Sequence, residues 1–204
     1  MKHYLFLTIV LLEILAAGTG SAAAASLIID QSQPMTLDFG LGVQFFTPIG
    51  QSFTPTLNGI DFAIFGLEFF PADGPNVLRV EVRTGVNGTL LGISNPVSPL
   101  SSSFTEVQFD FPSTVPLTAN QKYSLILAVQ NPGLNSYGLQ VGPDNSYQGG
   151  RLIEFGAEQT LPQQSFFKEG VFSQAVPEPS SLVLSNMGLL CIIYLRYRLR
   201  RIGP

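Results

Sequence analysis

The stretch "VGPDNSYQGGR" gathers the side chains best suited to binding: Asp144, Asn145, Tyr147 and Arg151. A saccharide site needs an aromatic face for the C–H surface of a pyranose ring and polar groups aimed at its hydroxyls. This loop supplies both. With no Trp in the chain, the platform would be Tyr137 or Tyr147. Read without a ligand, Asp-Asn-Ser caps a turn and the glycines permit a tight backbone, and the residue types alone fit either reading. Asp73, Asp144 and Glu154 are oxygen donors of the kind calcium takes. Their spacing matches no calcium loop, so no metal ligand and no cofactor is assigned.

Catalysis would have to run on carboxylates. A glycosidic bond is cut by two of them, one acting as acid and one as base or nucleophile. Glu68, Glu81, Glu106, Asp110 and Glu154 are the candidates. Most alternate outward on strands, where a solvated surface is the ordinary role, so a glycoside hydrolase ranks last among the readings. Missing residues exclude more. The only His is His3 and the only Cys is Cys191, each in an apolar terminal segment. The rest of the chain therefore has no base for a Ser-His-Asp or Cys-His site and no imidazole or thiolate for zinc. It also cannot form a disulfide, and its stability must come from packing.

The elements that would carry these residues have the period of strands. In "LRVEVR" Leu78, Val80 and Val82 share one face, with Arg79, Glu81 and Arg83 on the other. In "TEVQFDF" Val107, Phe109 and Phe111 do the same against Glu106, Gln108 and Asp110. "KYSLILAVQ" is apolar on both faces and suits a central strand. Weaker strands are expected at 43–46, 51–54, 60–70 with a break at Gly66, 90–93, 137–141, 151–155 and 166–172. Asn87-Gly88 is the dipeptide of a type I′ turn, which needs positive φ at both positions. No amphipathic helix of ten or more residues occurs. The pattern predicts an all-β fold: a single antiparallel β-sandwich, jelly-roll-like, over residues 26–175.

The two ends follow a different logic. Residues 1–25 hold Lys2, an apolar run from Tyr4 to Leu15 and small residues at Ala22–Ala25, the layout of a signal peptide cut by signal peptidase. At the other end, Leu182 to Leu195 are apolar apart from Ser185 and Asn186. As a helix that stretch reaches about 21 Å, against roughly 30 Å of hydrocarbon. Starting at about residue 181 and letting Arg196 and Arg198 snorkel brings it near a full span. Arg196, Arg198, Arg200 and Arg201 place that end in the cytoplasm, acting as a retention tail. Between the ends, setting aside Glu13 and Glu178 leaves 12 of the 14 acids against Arg79, Arg83, Lys122, Arg151 and Lys168, a formal charge of −7. No basic cluster is present to meet phosphates, so nucleic acid is not expected as a partner.

Pro177, Glu178 and Pro179, followed by the apolar segment and the arginines, resemble the PEP-CTERM sorting signal of biofilm-forming Gram-negative bacteria. The likeness covers 176–204. It implies an exosortase that cuts near the motif, transient anchoring in the inner membrane, and an exported product on the cell surface or outside the cell, associated with exopolysaccharide. "GQSFTP", "GTLLG", "VPLTANQKYSLIL" and "SYQGGRL" resemble bacterial extracellular sandwich modules over residues 43–155. In such modules a residue placed like Tyr123 ties its hydroxyl to nearby backbone. The function expected is a non-catalytic surface or extracellular-matrix protein, with a carbohydrate-binding, lectin-like module as the alternative.

Overall fold

The computed structural model describes residues 25–34, 39–70, 76–131, 134, 136–143, 146–160 and 163–173. The expected signal peptide (save Ala25), Asp73, Asp144, Asn145, the Pro177–Pro179 motif, the apolar segment and the terminal arginines lie outside the described residues. Those described are all-β, without helix. In chain order the strands are β1 (Leu27–Gln33), β2 (Phe39–Gly42), β3 (Ile49–Phe53), β4 (Gly59–Phe69), β5 (Leu78–Arg83), β6 (Leu90–Ile93) and β7 (Thr105–Pro116). There follow β8 (Tyr123–Val129), β9 (Tyr137–Gly142), β10 (Leu152–Glu154), β11 (Ala157–Glu158), β12 (Gln164–Ser165) and β13 (Phe167–Phe172).

They make two antiparallel sheets. The first is organised around β4, whose 11 residues pair along one edge with β7 and along the other with β13 and then β9. β1 lies outside β13, while β2 and β12 both pair with β9. The second runs β11-β10-β3-β8-β5-β6. Inward residues of both sheets form one core, in which Phe65, Phe109, Leu139 and Phe167 of the first meet Ile49, Phe53, Val80, Leu125 and Leu127 of the second. Each fully buried side chain of this size contributes about 1.5–3 kcal/mol.

The alternations in β5 and β7 are realised: Leu78, Val80 and Val82 are buried, as are Val107, Phe109 and Phe111. β8 is buried on both faces from Tyr123 to Leu127. The Tyr123 hydroxyl accepts a hydrogen bond from Thr118 N at 2.9 Å, the backbone tie expected of it. β4 is also covered on both faces, because Phe62 and Ile64 pack with Phe166 in a second, smaller cluster.

Three expectations are corrected. Residues 43–46 form a turn, with Phe45 N and Phe46 N both donating to Gly42 O, at 3.1 and 3.2 Å. Gly66 does not break β4. A Cβ there would lie 2.5 Å from Gln140 Oε1 and 3.0 Å from Phe166 Cδ1, so glycine lets two side chains rest on the strand. Asn87-Gly88 is not a type I′ turn either. The β5–β6 connection closes where Thr84 N donates to Thr89 O at 3.0 Å, and its left-handed residue is Gly85, at φ 83°.

Candidate functional site

The loop around Tyr147 is built into the interior. Tyr147 is only 8% exposed, and its ring meets Phe167 edge-on at 5.1 Å. Its hydroxyl accepts from Thr54 N at 2.8 Å, its N donates to Gln33 Oε1 at 3.0 Å, and its carbonyl accepts from Gln164 Nε2. Burial pushes the phenol up to about 12. Gln164 in turn lies against Gln51, which accepts from Ser165 N and Oγ, so a chain of buried amides joins the two sheets beneath this loop. Tyr137 is buried as well, its hydroxyl donating to Asn76 O. Neither tyrosine offers an open face, which corrects the expectation of a platform there. Of the two described members of the predicted set, Tyr147 is buried and Arg151 is exposed; the Arg151 backbone is held by Ser52, N donating to Ser52 Oγ at 2.8 Å.

The open aromatic face lies elsewhere. Phe155 and Gly156 form the two-residue link between β10 and β11, whose flanking residues Glu154 and Ala157 are paired. Both have positive φ, 50° and 72°, the signature of a type I′ turn. Asn, Asp or Gly is the usual choice at such a position, because a side chain with a bulky ring costs about 1–2 kcal/mol in the left-handed region. Phe155 occupies it with 66% of its surface exposed. Its ring packs against Phe46 at 5.2 Å, the two tilted by 46°, and Phe45, 68% exposed, is the adjoining residue. Phe155 N donates to Phe46 O and Gly156 N to Pro48 O, both at 2.9 Å, fixing this turn to the segment that enters β3. Strain combined with an exposed apolar ring makes Phe155 a candidate for a role beyond the fold.

The second sheet also carries a groove of about 350 Å³ lined by Arg79, Glu81, Ile93, Ala128, Val129 and Gln130. The register places the two features at one end of that sheet. Phe155 follows β10, Pro48 precedes β3, Ala128 and Val129 end β8, and Arg79 lies near the start of β5; these four strands are neighbours. Three strand spacings separate β10 from β5, roughly 14 Å, the reach of a short oligosaccharide. Arg79 and Glu81 point outward because Leu78, Val80 and Val82 point into the core.

The carboxylates weighed for hydrolysis are dispersed. Glu81 is bound by Arg83 at 2.7 Å and Glu106 by Lys168 at 2.7 Å, while Asp110 accepts from Gln108 Nε2 at 2.7 Å. Glu68 on β4 and Glu154 on β10 belong to different sheets, and burial raises the pKa of each. Among the described residues no group of three or more His, Cys, Asp or Glu is placed to hold a metal ion. The carboxyl most displaced is one not singled out from the sequence, Glu169 on β13. It is fully buried, and burial, together with the charge of Asp30, pushes it up to about 9. No protein-family model matches the chain, and none of the curated proteins matches it in sequence.

Proposed function

We propose that the chain is a non-catalytic exported protein, a β-sandwich of jelly-roll type that an exosortase-like system sorts to the cell surface or extracellular matrix. The observation that carries this reading is the pairing of two apolar delivery segments with an intervening chain free of imidazole and thiol. The two antiparallel sheets with one shared core support the sandwich. The test is the mass of the product exported by a host with and without an exosortase. The reading requires a product that ends near Pro177–Pro179 only when the enzyme is present, and an uncut chain in both hosts overturns it.

A second reading, saccharide binding, is favoured by Phe155. A ring exposed from a strained turn and backed by Phe46 is a platform for a pyranose, and Arg79, Glu81 and Gln130 of the groove, three strands away on the same sheet, supply hydroxyl partners. Retention of the full-length chain, purified in detergent, on immobilised exopolysaccharide tests it. Loss of retention in Phe155→Asn, a residue the turn accepts readily, supports the platform. Unchanged retention removes it.

A further inference from the structure

The chain between the apolar ends has five cations, and three are engaged: Arg83 with Glu81, Lys122 with Glu158 and Lys168 with Glu106. Arg79 and Arg151 are left without an ion pair or side-chain hydrogen bond to any described residue. They stand at opposite ends of the second sheet, since Arg151 is held by Ser52, whose partner on β8 is Ser124, while Arg79 pairs with Ala128. Only Arg79 lines the groove. In a domain of formal charge −7, acids are plentiful enough to have supplied Arg79 with a carboxylate. The carboxylate closest in the groove's lining, Glu81, is held by two nitrogens of Arg83, Nε at 2.8 Å and Nη2 at 2.7 Å. With Glu81 already engaged by Arg83, Arg79 is the unmatched charge of the groove's lining.

We infer that this groove takes a carboxylated saccharide, the sugar carboxylate meeting Arg79 while a ring of the same oligosaccharide lies on Phe155. The inference rests on the saccharide reading above and narrows it to uronate-type sugars. Guanidinium and carboxylate match as parallel two-fold donors and acceptors, a geometry that hydroxyl groups do not reproduce. Gln130, exposed at the end of the groove, has an amide free for the neighbouring hydroxyls. Long-range repulsion between an acidic domain and an acidic glycan does not cancel the contact. At 0.15 M ionic strength the screening length is about 8 Å, so the charges lining the groove dominate those on the far side of the domain.

The experiment is calorimetric titration of the full-length chain in detergent, at 0.15 M salt, with trigalacturonate and with its methyl ester, which keeps shape and hydroxyls but carries no charge. The acid is expected to bind at least tenfold more tightly than the ester. Arg79→Gln, an exposed position, is expected to melt like the parent and to lose that preference while keeping the ester's affinity. Equal binding of acid and ester, or a preference that survives in Arg79→Gln, overturns the inference. If neither sugar binds while exopolysaccharide still retains the chain through Phe155, the saccharide reading stands and the carboxylate class falls. If Phe155→Asn is also without effect on retention, both fall together.

Discussion

The Tyr123 hydroxyl, at the entrance to β8, accepts the backbone N–H of Thr118 at 2.9 Å and lies 3.3 Å from Gln121 Oε1. The ring is in the core beside Phe53, at 6.0 Å, so one side chain both fills the interior and stitches down the loop that leads into its own strand. Tyr123→Phe keeps the ring and orphans the Thr118 N–H. Its expected cost is about 1 kcal/mol, read as a lower urea midpoint with unchanged slope.

Tyr147 and Phe155 exchange the roles that their chemistry suggests. Tyr147→Ala removes a ring packed against Phe167 and leaves the Thr54 N–H without its acceptor. We expect a loss of about 3–5 kcal/mol, seen as a large drop in Tm. Tyr147→Phe separates the two contributions and is expected to cost only the hydrogen bond, about 1 kcal/mol.

Phe155→Asn relieves the left-handed backbone, worth about 1–2 kcal/mol, and gives up the contact with Phe46, worth about 0.5–1.5 kcal/mol. The expected outcome is a protein between about 0.5 kcal/mol less stable and about 1.5 kcal/mol more stable than the parent, by urea denaturation. A clear destabilisation would show that the ring is there for the fold.

Glu169 makes stability depend on pH. Its carboxyl titrates near the ordinary 4.5 in the unfolded chain and at about 9 in the fold, raised by burial and by Asp30. Between those values the folded chain holds a proton that unfolding releases, so stability falls as pH rises, by about 1.4 kcal/mol per unit, and below pH 4.5 this group adds no slope. Glu169→Gln is expected to flatten that window and to be more stable than the parent at pH 8. Denaturation midpoints at pH 5, 6.5 and 8 for both proteins check it.

Much of the strand pattern was open to reading because one face of β5 and of β7 is buried and the other is not. The double coverage of β8 was written in its unbroken apolar run. Glu169 left a trace as well: in "FKEGVF" it stands two residues from Phe167, hence on the same face of β13, and Phe167 belongs to the core. Phe155 left almost none. "EFGA" has no Asn or Asp to announce a type I′ turn, whereas Asn87-Gly88 has the usual pair and sits in a longer connection that puts its positive φ on Gly85. Tyr147 misled because an aromatic among Asp, Asn and Gly looks like a loop tip, and the buried amides that pull it inward come from Gln33 and Gln164, more than a hundred residues before it and 17 after.

β13 is the last strand among the described residues and fills the place between β1 and β4, both made long before it. Until residue 172 has been synthesised, β1 lacks its partner and the first sheet stays unfinished. Completion of the first sheet is thus coupled to arrival of its C-terminal strand, so the earliest strand waits for the latest whatever the order in which those between them pair.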